Sequence, residues 1–106
     1  MKEVEKEVLN RFKLMLSQRV AIHKMIIFGS RARGDADPDS DMDVLVILSG
    51  QNTAKERNYI NDCAWEAGFK HGLVVSPIIV SRKNWEKGPE RYSLLAQTVE
   101  EEGIAL

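Results

Sequence analysis

Two aspartates, Asp41 and Asp43, open an apolar run that continues from Val44 to Leu48. Side chains alternate faces along an extended strand, so these carboxylates point the same way and can share one cation, while Met42 points into the core. Upstream, the apolar run Met25 to Phe28 breaks at Gly29-Ser30. Glycine lets the chain turn sharply and lets an anion approach the main chain closely. Ser30 opens a short helix, offering its hydroxyl and the first free N–H groups to a phosphate. Proteins commonly hold Mg²⁺ through one or two carboxylates plus substrate phosphates. The two halves together suit a metal-bound nucleoside triphosphate.

Arg31 and Arg33 follow Ser30. Guanidinium is a planar set of donors suited to phosphate, so either arginine could contact a nucleotide. Either could equally pair with Asp35, Asp37 or Asp39 at the surface. Those aspartates also invite a calcium-loop reading, which fails on spacing. An EF-hand needs glycine at its sixth position and glutamate at its twelfth, and counting from Asp35 puts Ser40 and Val46 there. With Pro38 among them, they read as a solvated turn.

The elements that must position this constellation follow from periodicity. Val4, Val8, Leu9, Phe12, Met15 and Leu16 recur at helical steps, giving an amphipathic helix over about residues 3–19. A first strand over 20–28 begins near His23 and Lys24, a surface position. A second helix over about 53–70 is capped by Thr53 or Asn52, with Ala54, Ile60, Cys63, Ala64, Ala67 and Trp65 towards the core. A third strand over 73–80 contains Pro77, which cannot donate to a ladder and so marks an edge or a bulge. A last helix over about 90–101 carries Tyr92, Leu95, Ala96 and Val99 inward, Gly103 ends it, and Ile104 and Leu106 pack behind.

The chain has 106 residues, 43% of them hydrophobic and 29% charged, the balance of one soluble α/β domain. A formal charge of -1 supplies no basic field for an extended nucleic-acid footprint. The single cysteine, Cys63, excludes an internal disulfide and a cysteine-based zinc site. No apolar run approaches the roughly 20 residues of a membrane span, and the N-terminus lacks a signal-peptide core. The expected compartment is the cytoplasm.

The pattern Gly29-Ser30, Arg33-Gly34, a polar spacer and Ser40-Asp41-x-Asp43-Val44-x-Val46 resembles the signature of minimal nucleotidyltransferases of the DNA polymerase β superfamily. The closing Glu102-Gly103-Ile104 is also similar. The resemblance implies a small mixed sheet of three or four strands with helices packed mainly on one face. It implies catalytic, metal-holding Asp41 and Asp43, phosphate binding by Gly29, Ser30 and Arg33, and Mg²⁺ with ATP or another NTP. It further implies transfer of a nucleoside monophosphate to a hydroxyl, on a partner HEPN-type toxin, with this chain as the antitoxin. Self-association into a homo-oligomer is compatible with it. Complete small-molecule transferases carry an added acceptor domain, for which 106 residues leave no room. Active relatives place a third carboxylate on a neighbouring strand, but the face equivalent to it here carries Ser76 and Ile78. The competing expectation is therefore a module that binds nucleotide or partner without transfer.

Overall fold

In the computed structural model the chain is described throughout, apart from the side chains of Glu90 and Tyr92. The first amphipathic stretch forms α1 (Glu3–Ser17), with Val8, Leu9, Phe12 and Leu16 buried. The strand β1 (Ile22–Phe28) runs into Gly29 and a single helical turn, α2 (Ser30–Arg33), before the polar segment reaches β2 (Met42–Leu48). Helix α3 (Ala54–Phe69) then crosses over to β3 (Val75–Ser81). Two short elements, α4 (Arg82–Lys87) and a 3-10 turn (Pro89–Tyr92), lead to α5 (Leu94–Glu102) and a two-residue strand β4 (Ile104–Ala105).

The sheet order is β3-β2-β1-β4. β1 lies antiparallel to both β2 and β4, whereas β2 and β3 are parallel. A parallel pair requires a crossover connection of helix length, and α3 provides it. Val44, Val46 and Leu48 pack with α1 and α3 in the larger core. The alternate residues Leu45 and Ile47 join Phe28, Val80 and Val99 in a smaller core on the opposite face, beneath Trp85 and Leu95. The two long helices thus share one face, and the short α4 and α5 partly cover the other.

Pro77 sits on an edge strand, where its missing N–H leaves no gap in the ladder. Thr53 caps α3: its hydroxyl accepts from the Glu56 N–H, and the Glu56 carboxylate accepts from the Thr53 N–H at 2.7 Å.

Several local expectations are corrected. Trp65 is 65% exposed and Ala54 is also exposed, because the inward stripe of α3 is narrow and passes through Ile60, Cys63, Ala64 and Ala67. The segment after Ser81, which periodicity leaves unassigned, forms α4, capped by the Ser81 hydroxyl accepting from the Asn84 N–H. The last helix begins at Leu94, after the 3-10 turn at Pro89–Tyr92. Ile104 does not pack behind it but pairs through its backbone with Ile27. Tyr92, expected on its inner stripe, lies outside the described side chains. Among the described residues, no helix is long and apolar enough to cross a membrane.

Candidate active site

The site grows from the register of three strands. Asp43 stands opposite Phe28, the last residue of β1, and beside Ser76 on β3. Gly29 follows Phe28, so the turn out of β1 passes directly over the Asp43 carboxylate. A Cβ on Gly29 would lie 2.6 Å from Asp43 Oδ2. Gly29 has φ +79° and ψ -160°, a conformation essentially reserved for glycine. Backbone and space therefore both demand glycine, and the turn and the acidic pair expected from spacing are brought together.

Beyond Gly29, its carbonyl accepts from the Arg33 N–H at 3.0 Å, and the Ser30 carbonyl accepts from the N–H groups of Gly34 and Asp35. These bonds close α2 and leave its first N–H groups without partners inside the helix. Gly34, at φ +85°, ends it in the left-handed conformation. Ser30 is thus one residue from the Gly29–Asp43 contact.

Asp41 is exposed and Asp43 half-buried, while Met42 between them is fully buried, as the alternation requires. Burial pushes the Asp43 carboxyl above the usual carboxylate range, and the neighbouring Asp41 charge adds to the shift. Two neighbouring carboxylates, beside a turn whose first N–H groups have no partner inside the helix, are a donor set that a hard divalent cation fits.

Among the described residues, no group of three His, Cys, Asp or Glu side chains could hold a metal. The place beside Asp43 on β3 is taken by Ser76. Neither Asp62 nor Glu66 substitutes for an acid there. Both are exposed on α3, whose inward face packs on Val44 and Val46, across the sheet from Asp43. Glu86 is engaged by Arg82 at 3.0 Å.

The two arginines separate. Arg33 is surface-exposed and pairs with Asp35 at 3.2 Å and Glu102 at 2.9 Å. Hydrogen bonds to Asp35 and Glu102 hold its pKa above the ordinary guanidinium value. Arg31 is only 4% exposed. Its partners are Glu5 and the carbonyls of Pro38 and Ser40, none of the surface aspartates expected for it. Its burial removes it from nucleotide contact. Sequence reasoning missed this pair, although Glu5 stands one helical turn before Val8 and Leu9, on the buried stripe of α1. Asp35, Asp37 and Asp39 are exposed, and the Ser40 N–H returns to the Asp37 carbonyl, as expected of a turn.

Residues 5–106 match the family model of the nucleotidyltransferase domain. A Methanocaldococcus jannaschii protein named "Putative protein adenylyltransferase MJ0141" is 36% identical over 78 residues, covering 72% of this chain and 79% of its own. A second protein of that organism, MJ0604, bears the same description and is 33% identical over 82 residues, 77% of this chain and 75% of its own. A solved toxin-antitoxin structure with AMP-PNP superposes with a TM-score of 0.63 at 18% identity, covering 91% of this chain and 69% of that one. A chain of the solved complex of the tri-AMPylated Shewanella oneidensis HEPN toxin with MNT antitoxin superposes with a TM-score of 0.54 at 15% identity, covering 96% of this chain and 70% of that one. At those identities the solved structures speak for the fold, whereas the family model spans nearly the whole sequence. The chain belongs to the nucleotidyltransferase domain family.

Proposed function

We propose that this protein binds a magnesium nucleoside triphosphate, ATP in the first instance, and transfers its nucleoside monophosphate to a hydroxyl on a partner protein. The observation that carries the reading is the contact of the Gly29 turn with the Asp43 carboxylate, which joins an anion-binding backbone to a cation-binding pair. Asp41 and Asp43 would hold Mg²⁺, which when bound neutralises charge on the transferring group. Gly29 and Ser30 cradle the outer phosphates through main-chain N–H groups and the Ser30 hydroxyl. Arg33 reaches phosphate by exchanging Asp35 or Glu102 for it, a surface exchange with little desolvation cost. The acceptor oxygen forms a bond to the α-phosphorus, the α–β bridging bond breaks, and pyrophosphate leaves with the electron pair. The hydroxyl proton passes to solvent, since Ser76 is no base at neutral pH.

The relatives described as protein adenylyltransferases and the fold shared with toxin-antitoxin structures support a protein acceptor. A HEPN-type toxin is the partner of choice, and a cytoplasmic setting goes with it. Ser76 supports a second reading: with two carboxylates, the chain binds nucleotide and partner but transfers slowly or not at all. Incubation with α-labelled ATP, Mg²⁺ and the protein encoded beside this one separates the two. Label on the partner that disappears in Asp43→Ala supports transfer. A tight unlabelled complex supports the binding module.

A further inference from the structure

Asp41 lies outside the ladder that fixes its companion: β2 begins at Met42, whose N–H donates to the Val74 carbonyl at 2.8 Å. Asp43 is registered between two strands, but Asp41 hangs on the segment from Pro38 to Ser40. That segment is gripped from beneath. The buried Arg31 guanidinium donates to the Ser40 carbonyl through Nε at 3.2 Å and Nη2 at 2.7 Å, and to the Pro38 carbonyl through Nη2 at 3.1 Å. Its Nη1 donates to Glu5 at 3.1 Å, and the other oxygen of Glu5 accepts from the Lys2 N–H at 2.7 Å. Because the peptide unit is planar, two donors on the Ser40 carbonyl fix the orientation of the bond that leads into Asp41.

We infer that Arg31 is a positioning residue for Asp41, clamping the Ser40–Asp41 peptide to the Gly29-Ser30 turn and to α1, so that both halves of the site move as one body. Its value for metal binding rests on the function proposed above; its hold on Asp41 does not. Planarity matters: a lysine supplies the charge opposite Glu5, but its three donors diverge from a single nitrogen and do not reproduce the fixed fork whose Nε, Nη1 and Nη2 reach two carbonyls and a carboxylate.

The test compares wild type, Arg31→Lys and the double variant Glu5→Gln/Arg31→Gln, the last removing the guanidinium without stranding a buried carboxylate should Arg31→Lys fail to fold. Amide NMR relaxation and hydrogen exchange at Ser40, Asp41 and Met42 report the clamp directly. Calorimetric binding of AMP-PNP across a Mn²⁺ series reports its consequence. Expected are faster motion and exchange at Asp41, with Met42 unchanged, and a Mn²⁺ midpoint raised about tenfold, the usual cost of losing an outer partner of a metal ligand. Nucleotide affinity at saturating Mn²⁺ stays near wild type, a split that a merely structural role does not produce. Unchanged Asp41 dynamics in every folded variant would overturn the inference. Loosened Asp41 in a protein whose wild type binds no Mn²⁺ nucleotide would uphold the clamp and reject the nucleotide reading.

Discussion

At the scale of single residues, the sharpest constraints are at Gly29 and Asp43. Gly29→Ala places a Cβ against Asp43 Oδ2 in a backbone conformation that costs about 1–3 kcal/mol for other residues. Chemical denaturation is expected to show a loss of that order, and nucleotide titration a loss of binding, since relief requires moving the carboxylate. Asp43 behaves oppositely. Burial and the Asp41 charge raise its pKa in the folded state, so folding takes up a proton there. Stability therefore falls as pH rises from the ordinary carboxylate value through the raised one. Asp43→Asn is expected to raise the melting temperature at neutral pH in metal-free buffer while abolishing transfer, the pattern of a site that trades stability for function. A melting temperature that drops in metal-free buffer would contradict the repulsive arrangement. Ser76→Asp restores an acid at the position paired with Asp43, and labelled transfer is expected to rise if the missing carboxylate limits the rate.

At the scale of elements, the Arg31–Glu5 pair does most to join α1, α2 and the segment entering β2. Arg31→Met strands a buried carboxylate, and urea denaturation is expected to show a loss of about 3–5 kcal/mol. Burial opposes ionisation of Glu5, but the Lys2 N–H and Arg31 together hold its pKa below the ordinary value. Its contribution to stability is thus complete above the ordinary carboxylate range and lost as pH falls through the lowered value. Glu5→Gln is expected to flatten the acid limb of the pH–stability curve. Local signals made much of this scale legible: the Val8–Phe12–Leu16 stripe, the Thr53 cap, Pro77 at an edge and glycine at position 29. They could not reveal that Arg31 reaches back to Glu5, because that partnership joins α1 to α2 across a sequence separation of 26 residues. Nor could they separate Arg31 from Arg33, identical in type and two residues apart, which the fold sends to opposite environments. Trp65 was misplaced because aromatic residues are usually core, and the narrow stripe of α3 overrides that expectation.

At the scale of the whole molecule, the strands place the site where β2 and β3 both begin and β1 ends, so one end of the sheet presents the acidic pair and the Gly29 turn. The last residues complete the frame. β4 pairs with Ile26 and Ile27, the Leu106 N–H reaches the Met25 carbonyl, and Glu102 holds Arg33. Removing residues 103–106 is expected to lower the melting temperature and to loosen the amides of Met25 to Ile27, measured by hydrogen exchange. The most direct measurement is a crystal grown with AMP-PNP and Mn²⁺, read by anomalous scattering from manganese. The expected result is a peak shared by Asp41 and Asp43, with the triphosphate seated on the main chain of Gly29 and Ser30. Manganese bound elsewhere, or a triphosphate remote from Ser30, would contradict a nucleotide site at this turn.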